Sequence, residues 1–176
     1  MSYVLTAYLV DLPDLRSVVG SKDQSLLKAV EPIIAEAYED DEEDAEAMQA
    51  AARALIMGEP LDPEIAANYG WAFWQICKVK GEELLPDAWG GIRWDSVEAS
   101  GLEDLLTKVG PPIPLPPLTD IPSIGYVPRD KVAAYIQAAE ESKEKVDVNV
   151  VDLLDEYIEW LELAQSKNKD IVFFYG

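Results

Sequence analysis

The chain is predicted to fold as a helix-rich α+β protein with a small sheet. Two observations carry this. The opening YVLTAYLV and the closing DIVFFYG are apolar, β-branched or aromatic, and of strand length. Between them, apolar residues recur three and four apart in segments punctuated by Gly, Pro and Asp, which is the helical period. Strands at the start, middle and end with helices between, and no internal repeat, make α+β the expected class. At 176 residues, 49% of them hydrophobic, the length suits one domain over 1–176 with a real core.

Residues 3–10 lack polar breaks except Thr6, so both faces of this strand should be covered. Asp11 and Pro13 end it. Leu12, Leu15, Val18 and Val19 then space as a short helix stopped by Gly20. Ser21 can cap the next helix, with Gln24 completing a capping box, and Leu26, Leu27, Val30, Ile33, Ile34 and Ala37 form its stripe. Pro32 cannot donate to Lys28, so a kink or restart is expected near Glu31. A third helix is expected over 42–57 with Gly58 just beyond it. Asp62-Pro63 starts a fourth, running to about Lys80, that carries Tyr69, Trp71, Phe73 and Trp74.

The motif PPIPLPP at 111–117 must be extended. It reads as a stiff crossover that marks a boundary between two halves of the fold; docking on an SH3-type groove is the alternative. IPSIGYVP, 121–128, is a short strand at an edge or strand start, because Pro122 cannot donate. Pro128 or Asp130 opens a helix to about Glu141, and a last helix covers 147–166 with Val151, Leu154, Ile158 and Leu161 inward. The first and last strands should pair at the sheet centre, with helices over a face.

Composition removes several functions. There is no histidine, which excludes His-based acid–base work, Ser–His and Cys–His nucleophiles and most transition-metal sites. Cys77 is alone, so neither an internal disulfide nor a cysteine zinc site can form. The N-terminus lacks a basic region before its apolar run, which argues against a signal peptide, and no apolar run approaches the ~18 residues of a membrane span. A cytoplasmic bacterial protein is expected. The net charge of −20 repels nucleic acid and anionic membrane and favours a basic protein partner; simple solubility would account for it equally well.

Half of that charge sits in one stretch. Residues 36–64 hold eleven acids against Arg53, a net of −10. Within it Glu39, Asp40, Asp41, Glu42, Glu43, Asp44 and Glu46 run almost without interruption. A calcium loop needs alternating acids and a glycine turn, and EDDEED has neither. Paired-carboxylate catalysis needs one acid in an apolar setting, and here each acid neighbours several more. Carboxylates are favoured in the first turn of a helix by ~0.3–1 kcal/mol each, but one or two satisfy that need. The surplus points to a basic partner. Asp152, Asp155, Glu159 and Glu162, three and four apart, form a possible second stripe on the last helix.

Neither a catalytic group, a metal site nor a cofactor is expected. An immunity or antitoxin-like protein is the most concrete reading, with an acidic surface occluding a basic partner. DNA mimicry would need carboxylates spaced like phosphates. A second hypothesis is a small-molecule binding module or enzyme built on the aromatic region 69–94. Its pocket would use Trp74, Asp87, Trp89, Arg93, Trp94 and Asp95. Core packing explains the same aromatics, and few bases lie near them to serve a phosphate.

YLVDLPDLRSVVGSKDQSLLKAV, GYVPRDKVAAYI and DIVFFYG together resemble, in layout, small bacterial proteins of the YfbM-like kind. The likeness covers about a third of the chain. It implies an α+β cytoplasmic domain and carries over no catalytic residue.

Overall fold

The computed structural model describes residues 5–85, 103–119 and 121–176. The fold is α+β, as expected. Four antiparallel strands, β1 (Leu5–Val10), β2 (Glu82–Leu84), β3 (Ser123–Val127) and β4 (Asp170–Tyr175), form one sheet in the order β2-β1-β4-β3. The helices are α1 (Leu12–Ser17), α2 (Gln24–Ala37), α3 (Glu42–Met57), α4 (Ala66–Lys80), α5 (Glu103–Leu106), α6 (Val132–Lys143) and α7 (Val148–Ser166).

The chain divides into two compact units. One comprises residues 1–11, 82–112 and 123–176 and holds the sheet; the other comprises 12–81 and 113–122. The boundary at Pro112–Ile113 falls inside PPIPLPP, where the proline run was expected to separate two halves.

In the sheet unit, β1 and β4 are central and pair over six residues, from Leu5 opposite Tyr175 to Val10 opposite Asp170. Every side chain of both strands is buried, as unbroken apolar runs require. Leu5, Ala7, Leu9, Ile171 and Phe173 face a core closed by Leu153, Leu154, Tyr157, Trp160 and Leu161 of α7 and Val132 and Ala139 of α6. β3 lies at the edge, where Pro122 costs no ladder hydrogen bond. β2 escaped the sequence reading: three residues, Glu-Glu-Leu, carry no strand pattern, and only pairing with β1 makes them one.

Gly125 of β3 is required by its surroundings. A Cβ there would overlap the backbone carbonyl of Leu106. The last turn of α5 thus lies directly on the strand, held because Tyr157 donates its hydroxyl to the Leu105 carbonyl at 3.0 Å. Tyr157 in turn packs its ring on Phe173, the residue opposite Gly125.

In the second unit, α2, α3 and α4 pack on one another. α3 ends in Gly58 at φ 73°, with the Gly58 and Glu59 amides both donating to Ala54 at 2.9 Å. The turn after α1 is strapped to this end: Gly20 N–H donates to Leu55 at 2.9 Å and Lys22 N–H to Ile56 at 2.8 Å. Gly20 and Gly58 meet backbone to backbone, and a Cβ on Gly58 would lie 2.9 Å from the Gly20 Cα. On α4, Gly70 makes room for Leu118 and Pro122 of the segment that follows the proline run. Pro112 and Ile113 are buried while Pro114 and Pro117 are exposed, which suits a crossover laid on protein.

Three helix details differ from expectation. Asp23, not Ser21, caps α2, accepting from the Ser25 amide at 2.8 Å and the Leu26 amide at 3.1 Å. Ser21 instead accepts from Asp23 N–H, because Lys22 turns the chain at φ 58° before the helix begins. α2 continues through Pro32 without a restart. Residues 63–65 form a 3-10 turn, capped by Asp62, before α4 proper.

Substituting Gly125 by Ala is expected to lower stability by about 1–3 kcal/mol, since the overlap is with backbone and not with a flexible side chain. A shift in the urea midpoint checks it; a wild-type midpoint would remove the close approach. Alkali is a second test. Burial holds the Cys77 thiol and the Tyr157 phenol well above their ordinary 9.0 and 10.0. Both bind their protons more tightly folded than unfolded. Stability should therefore be level through neutral pH and fall as pH rises past 9 and then 10. Urea midpoints between pH 7 and 11 read this, and Cys77→Ala should delay the onset.

Candidate functional site

The acidic run occupies the corner between α2 and α3. Tyr38 closes α2, its N–H donating to Ile34, and the Asp41 amide donates to the Tyr38 carbonyl at 3.1 Å, turning the chain. Asp41 then caps α3, accepting from the Asp44 amide at 3.1 Å. Glu42, Glu43 and Asp44 fill its first turn, where the helix dipole favours them. Sequence reasoning placed these three correctly, and the cap adds Asp41.

Glu39, Asp40 and Glu46 serve neither purpose. All seven acids from Glu39 to Glu46 are exposed, and among the described residues no cation is paired with them. Arg53, the single base of residues 36–64, lies farther along α3 and pairs with Glu59 at 3.6 Å, with both side chains exposed. No described cation offsets the charge of the corner. Tyr38 senses it: burial first, and the Asp44 carboxylate second, push its phenol above the ordinary range.

The acids of α7 behave differently. Asp152, Asp155, Glu159 and Glu162 are all exposed on one side of the helix, as their spacing predicts. Asp155, however, receives Lys143 of α6 at 2.6 Å, and the same ammonium meets Glu140 at 3.0 Å. The hydrogen bond to Asp155 does most to hold Lys143 above its ordinary range; desolvation opposes it, and Glu140 adds a smaller upward push. Part of this stripe thus ties α6 to α7. It lies in the sheet unit, and the α2–α3 corner lies in the other.

Of the aromatic candidates, Trp74 is buried on α4 and stacks flat on Trp71, ring centroids 5.2 Å apart. Tyr69 and Phe73 are buried beside it on the same helix, and Tyr69 accepts from the Asp62 amide at 3.1 Å. Tyr69, Phe73 and Trp74 are thus buried, and Trp71 is half-buried against Trp74. Asp87, Trp89, Arg93, Trp94 and Asp95 lie outside the described residues.

One polar cluster was not anticipated. Arg129, just past β3, donates from its amide to Asp170 Oδ1 at 2.7 Å and from Nη2 to Asp170 Oδ2 at 2.8 Å and Asp11 Oδ2 at 3.0 Å. Its Nη1 donates to the Asn168 carbonyl at 3.2 Å. Asp170 is buried; Asp11 and Arg129 are partly exposed. Hydrogen bonds donated to Asp170 and then to Asp11 raise the guanidinium above its already high range, so it stays charged at any workable pH. The cluster joins the adjacent ends of β1, β4 and β3. The Arg129 donors point at acceptors within the cluster, which is the mark of a structural clasp. A clue was in the sequence: an acid opening a buried strand, in DIVFFYG, demands a partner.

Among the described residues no three potential metal ligands converge, and no helix is long and apolar enough to cross a membrane. A family model, described as a domain of unknown function and numbered DUF7691, matches residues 1–176. The chain belongs to the DUF7691 family. No curated protein and no solved structure matches it. Membership of DUF7691 brings no reaction or ligand with it, so function rests on this chain's own residues.

The division of labour among the acids is testable. Asp41→Ala should cost about 0.5–2 kcal/mol by removing the cap. Asp40→Ser and Glu46→Gln should leave stability within ~0.5 kcal/mol, or raise it at low salt by relieving repulsion. Thermal unfolding of the three variants at two ionic strengths checks this. Equal losses for all three would mean that Asp40 and Glu46 also hold the corner together.

Proposed function

We propose that this is a non-enzymatic bacterial protein of the cytoplasm that binds a basic protein through the α2–α3 corner. The observation that carries the reading is the set of exposed acids, Glu39 to Asp44 and Glu46, that no described cation neutralises. A fold needs few of them. Asp41 caps, and the first turn of α3 accepts its three neighbours, but Glu39, Asp40 and Glu46 neither cap a helix nor pair with a described cation. Unneutralised carboxylates at one corner raise the local concentration of a cationic partner and speed its association. They oppose nucleic acid and anionic lipid for the same reason.

An immunity or antitoxin-like role is the specific form proposed, with the acidic corner covering the cationic surface of a toxic enzyme. Asp152, Glu159 and Glu162 of α7 would offer a second, weaker contact, since Asp155 is already engaged by Lys143. The small-molecule alternative gains nothing from Trp74, which is buried and stacked on Trp71.

The test is affinity capture from the native cell extract with two baits, the wild type and a variant carrying Glu39→Gln, Asp40→Ser, Glu43→Gln and Glu46→Gln. Asp41 is kept so that α3 remains capped. Basic proteins held by the wild type, released by salt and at least tenfold depleted on the variant are the expected result. Equal retention on both baits, with the same salt elution, would refute the reading.

A further inference from the structure

We draw no further inference here: the strongest candidate, the buried side-chain carboxamide of Gln75 on α4, whose Oε1 has no hydrogen-bond partner, carries nothing because no described cavity or ligand shows what would meet it.

Discussion

The pairing of β1 with β4 is the contact on which the sheet unit depends. It joins Leu5 to Tyr175 and Val10 to Asp170, nearly the full length of the chain apart. Closing so long a loop is entropically unfavourable, though the cost grows only slowly with length. The compensation is visible in the burial of both strands on both faces. β2 and β3 add to an edge of this pair, and α6 and α7 cover one side of it. Without the central pair neither edge strand has a ladder to join.

Two devices then align the sheet. At one end, Arg129 holds Asp11 and Asp170, so the exit of β1, the entry of β4 and the exit of β3 share one guanidinium. Burying Asp170 alone would be costly; the paired charge and the Arg129 amide offset it. On the helical face, the missing side chain at Gly125 admits the α5 backbone, and Tyr157 receives that backbone with its hydroxyl. Both devices use polar groups that are satisfied within the protein. Their hydrogen bonds serve the architecture of the sheet.

The acids follow a different logic. Where a carboxylate has structural work, its partner is nearby: Asp23 and Asp41 on helix amides, Asp170 on Arg129, Asp155 on Lys143. At the α2–α3 corner most carboxylates have no such partner among the described residues, and Arg53, the single base of residues 36–64, is turned to Glu59. The contrast within one chain makes the corner stand out more than the net charge does. A net of −20 could be spread for solubility; ten units of it within residues 36–64 is a local field.

By itself, the sequence determined the α+β class, the terminal strands and their central pairing, and the start and end of α3. These follow from local signals: continuous apolar runs, the 3.6 period, an acidic first turn and a glycine stop. It also limited the chemistry, since a chain with no histidine and one cysteine has no His-based acid–base group and no cysteine zinc site to offer. Tertiary structure decided the rest. β2 exists because β1 presents an edge, Asp23 displaced Ser21 as a cap because Lys22 turns first, and Arg129 became a clasp because three strand ends meet. Likewise, only the folded chain separates Asp155, which is paired with Lys143, from Glu39, Asp40 and Glu46, which no described cation meets. Spacing along a sequence tells which side of a helix a charge is on. Whether a lysine from another helix reaches it depends on packing between residues far apart in the chain.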